Sequence, residues 1–248
     1  MVTSDQRRRQ LAREKYERQQ KRRAEARHKA RRRTALIGAA VAVVVAAVVG
    51  LVVGGVFDSD GKKKASEPSG PPAMAIDKSA KYTLGLTTNS GAIKVAMDAA
   101  KTPETVNSFK SLADKKFFDG TKCHRLTTDG IFVLQCGDPE GTGSGGPGYT
   151  IKDENLDSLG KPNETGKVVY PAGTVAMANT GQPNSGGSQF FLVYKDTQLP
   201  PGYTPFGTMD AAGLKVVEGI AKAGTADGAP DGAPKNTVTI EKATVGKD

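Results

Sequence analysis

The stretch Cys123-His124-Arg125-Leu126-Thr127-Thr128-Asp129-Gly130-Ile131-Phe132-Val133-Leu134-Gln135-Cys136 decides the fold. Cys123 to Leu126 and Ile131 to Cys136 read as two strands joined across Thr127-Thr128-Asp129-Gly130, because an Asp-Gly pair between apolar runs is a hairpin signal. A second stretch, Gly187-Ser188-Gln189-Phe190-Phe191, opens another apolar, aromatic strand from Gln189 to Tyr194. Together they bring one arginine, one glutamine and several aromatics into neighbouring strands. No base and no metal-ligand set accompanies Arg125, so it reads as an uncoupled guanidinium. That points to chemistry in which no covalent bond is made or broken.

Outward from this hairpin the same alternation recurs. Tyr82 to Thr87 and Ala92 to Met97 alternate about an Asn89-Ser90-Gly91 turn, a further hairpin. Thr102-Pro103-Glu104 is a helix start, with threonine at the cap, proline at the first position and an acid near the positive end of the dipole. Val106, Phe109, Ala113 and Phe117 follow on one helical face. Strands are expected at Thr174 to Met177 and Thr237 to Lys242, and a second helix over 210–223 with Leu214, Val217 and Ile220 buried. Many short strands with two separated helices predict a mainly β domain over 81–248, a closed barrel with a helix at each end.

The rest of the chain is not domain. Residues 1–33 hold fourteen Lys or Arg against four Asp or Glu, a net +10, whereas 34–248 hold twenty-one basic and twenty-two acidic residues and sum to −1. The chain's +9 therefore belongs to the tail, and a nucleic-acid-binding domain is not implied. Residues 34–57 carry no charge. As a helix, Ala35 to Phe57 would be about 34 Å long, enough for a hydrocarbon core of about 30 Å and too long for the apolar core of a cleaved signal. A single signal-anchor helix is expected there. The arginine-rich flank keeps residues 1–33 cytoplasmic and places the domain outside. The tail can also contact anionic lipid at the inner surface. Residues 58–80, rich in Ser, Pro, Gly and Lys, read as a flexible linker.

Six ordered motifs carry a family resemblance: Glu104-Thr105-Val106-Asn107-Ser108-Phe109, Phe117-Phe118-Asp119-Gly120, His124-Arg125, Gln135-Cys136-Gly137-Asp138-Pro139, Ala176-Met177-Ala178-Asn179 and Ser188-Gln189-Phe190-Phe191, with Phe206-Gly207 after them. Residues 81–248 resemble a cyclophilin, most closely the membrane-anchored cyclophilin B type of actinobacteria. The resemblance implies a closed antiparallel eight-stranded barrel capped by two helices and peptidyl-prolyl cis-trans isomerase activity without a cofactor. It assigns Arg125 as donor to the prolyl nitrogen, Gln135 as partner of Arg125 and of the substrate carbonyl, and Phe132 and Phe191 as walls of the proline pocket. Val133, Ala178, Asn179, Gln189, Leu199 and Tyr203 complete the groove. Proline-containing polypeptides folding outside the cytoplasm are the implied clients. A non-catalytic chaperone or scaffold using the same groove is the alternative from another class.

The sequence departs from the family in places. Two extra residues lie between Arg125 and Gln135, Val133 stands where methionine is usual, Leu199 falls near a position where many members have tryptophan, and Tyr203 replaces histidine. Without the indole donor, weakened cyclosporin binding is expected. Gly141 to Gly146 suggests a phosphate loop but lacks the lysine such loops carry, so it reads as groove wall. Metal binding is not expected, since His28 and His124 are the only histidines and fall on opposite sides of the expected membrane. A serine hydrolase would need a base that His124, beside Arg125, is poorly placed to supply. Cys123 and Cys136 come out opposite each other in the predicted hairpin, and both a cross-strand disulfide and two buried thiols are compatible with that.

Overall fold

The computed structural model describes residues 70–248. The expected tail and signal anchor, and most of the expected linker, lie outside the described residues. Among the described residues no helix is long and apolar enough to cross a membrane.

Alternation builds the first hairpin as expected. Strands β1 (Tyr82–Thr88) and β2 (Gly91–Met97) pair antiparallel, with Leu84, Leu86, Ile93 and Val95 pointing into the core. Helix α1 (Pro103–Asp114) begins with proline. The hydroxyl of Thr102 does not cap it but donates to the Asp98 carbonyl at 2.6 Å. The free amides of Glu104 and Thr105 are instead accepted by the Glu154 carboxylate, at 3.0 and 2.9 Å. An acid about fifty residues away thus does the work of a local cap, placing a negative charge at the positive end of the helix dipole.

The remaining elements are β3 (Lys122–Cys123), β4 (Arg125–Thr127), β5 (Val133–Cys136), β6 (Val168–Tyr170), β7 (Thr174–Met177), β8 (Phe190–Val193), β9 (Thr197–Leu199), β10 (Pro205–Met209), α2 (Ala211–Ala223), β11 (Asp231–Gly232) and β12 (Val238–Lys247). Ten strands form one curled sheet in the order β11-β4-β5-β8-β7-β10-β2-β1-β12-β3, and β6 pairs with β9 separately. Helix α1 packs on β12 and α2 on β2. The Asp210 side chain caps α2 by accepting from the Gly213 amide at 2.7 Å.

The domain is mainly β with two helices, but the closed eight-stranded barrel is corrected. His124 interrupts the segment 122–127, so its first half pairs with β12 and its second half with β11 and β5. The end strands β3 and β11 are two residues long and no ladder joins one to the other. What links the two ends of the sheet is the segment 122–127 itself, which pairs with β12 through β3 and with β5 through β4.

Period-two alternation sorts the central strands between two apolar clusters. Leu126, Leu134, Cys136, Val175, Met177, Phe190 and Leu192 join the main core, where Phe109 touches the rings of Phe118, Phe190 and Phe206 at centroid distances of 5.3, 5.5 and 4.7 Å. The intervening Val133, Ala176, Phe191 and Val193 face the other way, into a second cluster with Val168, Tyr170 and Leu199. Strand β8 is buried on both faces, which explains its unbroken apolar run.

Part of the expected linker is docked. Asn107, buried on α1, accepts from the Ala75 amide at 2.9 Å and donates to the carbonyls of Pro72 and Ala73, both at 3.1 Å.

Candidate active site

The second face of the sheet carries a row of four paired residues, one per strand. Arg125 of β4 lies opposite Gln135 of β5, Gln135 opposite Phe191 of β8, and Phe191 opposite Ala176 of β7. Cross-strand neighbours on one face are about 4.5–5.5 Å apart at Cβ, so the register alone sets a guanidinium, an amide, an aromatic ring and a methyl side by side.

Beside this row is a recess of about 150 Å³ lined by Arg125, Ile131, Val133, Gln135, Ala178, Asn179, Phe191, Leu199 and Tyr203. Its base is apolar: Val133, Phe191 and Leu199 are buried, and the Tyr203 ring meets Phe191 edge-on at 5.4 Å. Its rim is polar. Nη1 of Arg125 donates to Oε1 of Gln135 at 3.2 Å, Nε2 of Gln135 donates to Oε1 of Gln189 at 2.8 Å, and Nε2 of Gln189 donates to the Gly145 carbonyl at 2.9 Å. Asn179 donates through Nδ2 to the Gly202 carbonyl at 2.6 Å. A second recess of about 620 Å³ continues past Gln135, Ala178 and Asn179 between Gln189 and the glycine-rich loop. The two recesses make one groove.

Nine of the ten expected catalytic and groove residues line this groove. Phe132 does not line either recess. Val133 and Gln135 of β5 face the groove, while Phe132, just before the strand, packs elsewhere, its ring meeting Tyr194 at 6.0 Å beneath the Lys195 ammonium at 4.4 Å. Ile131, two residues before Val133, lines the smaller recess. Ile131 sits in the bend before β5, where neither a motif nor strand periodicity marks it.

Arg125 is not uncoupled. Its Nε donates to Oδ1 of Asp231 at 2.8 Å and its Nη2 to Oδ2 at 2.7 Å, a two-pronged ion pair. This pairing raises the arginine's proton affinity and holds the Asp231 carboxyl below the usual carboxylate range. Asp231 lies in a Gly- and Pro-rich run far along the chain, and no local pattern joins it to Arg125.

The glycine-rich loop is organised around Asp138. This buried carboxylate accepts from the amides of Glu140, Thr142, Gly143 and Gly145 at 2.8, 2.9, 2.6 and 3.2 Å. Burial pushes its pKa up, but these amides outweigh it and hold the group below the normal range. The loop's donors are thus already committed to an acid of the chain itself. Gly137, at φ 88°, has no room for a side chain because a Cβ would collide with the Ser188 carbonyl.

His124 is a packed residue, and neither ring nitrogen finds a hydrogen-bond partner among the described residues. Burial lowers its pKa below 6.5, with Asp138 opposing and Arg125 reinforcing the shift. Cys123 and Cys136 are joined in a disulfide with Cα atoms 3.9 Å apart. The observed register, Arg125 with Gln135 and Lys122 with Asp138, sets Gly137 rather than Cys136 level with Cys123. The bridge is therefore diagonal.

Residues 83–245 match the family model described as cyclophilin type peptidyl-prolyl cis-trans isomerase/CLD. Over 184 residues the chain is 50% identical to the probable peptidyl-prolyl cis-trans isomerase B of Mycobacterium leprae, covering 72% of this chain and 62% of that protein. It is 51% identical to the Mycobacterium tuberculosis protein of the same name over 65% of this chain and 53% of the relative. The chain thus spans between half and two thirds of the length of these curated relatives. The probable peptidyl-prolyl cis-trans isomerase A of Mycobacterium bovis is 38% identical, over 66% of this chain and 91% of that protein. In fold, the domain is similar to a Cryptosporidium parvum cyclophilin, with a TM-score of 0.54 at 24% identity over 68% of this chain and 99% of the other. That protein has also been solved in the presence of the dipeptide Ala-Pro.

Proposed function

Because this chain belongs to the cyclophilin-type peptidyl-prolyl cis-trans isomerase family, we propose that it accelerates rotation about X-Pro bonds in polypeptides. The observation that carries this reading is the meeting of Arg125 and Gln135 over a small apolar recess. Peptide-bond rotation faces a barrier of about 18–20 kcal/mol from C–N resonance. A guanidinium N–H donated to the prolyl nitrogen favours a pyramidal nitrogen, which has lost that resonance. The donor acts on the twisted amide and not on either planar isomer, and such selective stabilisation raises the rate. Val133, Phe191 and Leu199 hold the ring, Gln135 takes the substrate carbonyl, and the backbone at Asn179 aligns the peptide. That the Cryptosporidium parvum neighbour has been solved in the presence of the dipeptide Ala-Pro is in line with such a ligand.

The test is turnover of an X-Pro peptide by the full chain in mild detergent, with Arg125→Ala beside it. Loss of one preorganised donor predicts a fall in rate of about a hundredfold or more with peptide binding kept. Equal, slow rates for both proteins would leave a binding scaffold in place of an enzyme.

The domain works outside the cytoplasm, held to the membrane by residues 34–57, with residues 1–33 inside and against anionic lipid. Support comes from the length of the uncharged run, its basic flank and a disulfide of the kind that persists in oxidising compartments.

A further inference from the structure

We infer that Asp231 is a positioning residue for Arg125, setting which of its N–H groups face the groove. The inference rests on the isomerase reading and deepens it.

Arg125 stands at the rim of the sheet with 38% of its side chain exposed. Gln135 alone would tie it through one bond of 3.2 Å. Asp231 adds two shorter bonds, to Nε and Nη2, and a carboxylate spanning these two atoms fixes the plane of the guanidinium as well as its place. Three of the five N–H donors are then used among the described residues, and those left are one on Nη1 and one on Nη2. Asp231 thus leaves the end of the fork free for the prolyl nitrogen.

The carboxylate is itself held. Asp231 pairs with Thr127 and Gly232 with Leu126, so β11 is laddered to the strand that carries Arg125. The Thr128 amide donates to the Pro230 carbonyl at 2.8 Å, and the Ala226 amide to the Ala233 carbonyl at 2.9 Å, closing the loop from both ends. Thr225 donates to the Ala229 carbonyl, and the Asp227 carboxylate accepts from the Ala229 amide at 3.0 Å. Acid and arginine are thus fixed to one short piece of sheet. The pair also cancels charge at the rim, so Arg125 acts as a directed donor rather than as a general attractor of anions.

The test compares wild type, Asp231→Ala and Asp231→Glu as full chains in mild detergent, with Arg125→Ala used to identify the Arg125 Nε–H resonance. Asp231→Ala is expected to lower kcat about tenfold while KM stays within about twofold, because misorientation is felt mainly in the transition state. Asp231→Glu, which keeps the fork, restores most of the loss. In nitrogen-15 spectra the Nε–H signal is expected to be sharp in wild type and Asp231→Glu and lost to exchange in Asp231→Ala. Wild-type kcat in Asp231→Ala, a change confined to KM, or an Nε–H signal that persists there would overturn the inference. An inactive wild type would remove the isomerase reading instead, and the Nε–H comparison would still judge the positioning role.

Discussion

At Arg125 the sequence supplies the donor, but the fold supplies its direction. Gln135 holds one edge of the guanidinium and Asp231 another, and in the proposed reaction the remaining edge is the one that meets the substrate. His124, next in the chain, points into packed surroundings and serves stability. Burial keeps its imidazole neutral below the usual 6.5. The unfolded chain binds the proton more readily, so His124's contribution is fully present above about pH 6.5 and is lost as pH falls through the histidine range. The melting temperature is expected to drop between pH 7.5 and 5.5, and His124→Gln is expected to flatten that slope. An unchanged slope in the variant would assign the pH dependence to other groups.

At the scale of elements, the Cys123–Cys136 bridge clips together the two segments that carry Arg125 and Gln135. Closing a loop with a sequence separation of 13 limits the unfolded chain by about 3 kcal/mol in the chain-entropy account. Denaturant unfolding with and without reductant is expected to differ by roughly 2–4 kcal/mol, and equal midpoints would contradict this. Legibility at this scale follows the range of the interactions. The β1–β2 hairpin, α1 and α2 are set by neighbours in sequence, through alternation, a proline at the first helical position and an aspartate cap, and all three were readable. Strands β6, β9 and β11 have two or three residues each and exist only through distant partners, so no periodicity marks them. Glu154 capping α1 and Asp231 holding Arg125 were hidden for the same reason. Phe132 is the one expected groove residue that lines neither recess, and Ile131, which no motif marked, lines the smaller one.

For the whole molecule, composition divides a basic tail, an uncharged run and a near-neutral domain more clearly than any structural feature does. The curled sheet packs one face as a core and leaves the other to build the groove. If residues 34–57 span a bilayer with the tail inside, protease added to intact spheroplasts should digest or release the domain while sparing the tail. Protection of the domain until lysis would contradict that topology. The most direct test of the central claim is exchange spectroscopy on an Ala-Pro peptide with a small fraction of the full chain present. Uncatalysed interconversion takes about 10–100 s at 25 °C. The account predicts cis–trans exchange cross-peaks on a sub-second timescale that vanish with Arg125→Ala, and peptide that binds the wild-type groove with its exchange unaltered would contradict it.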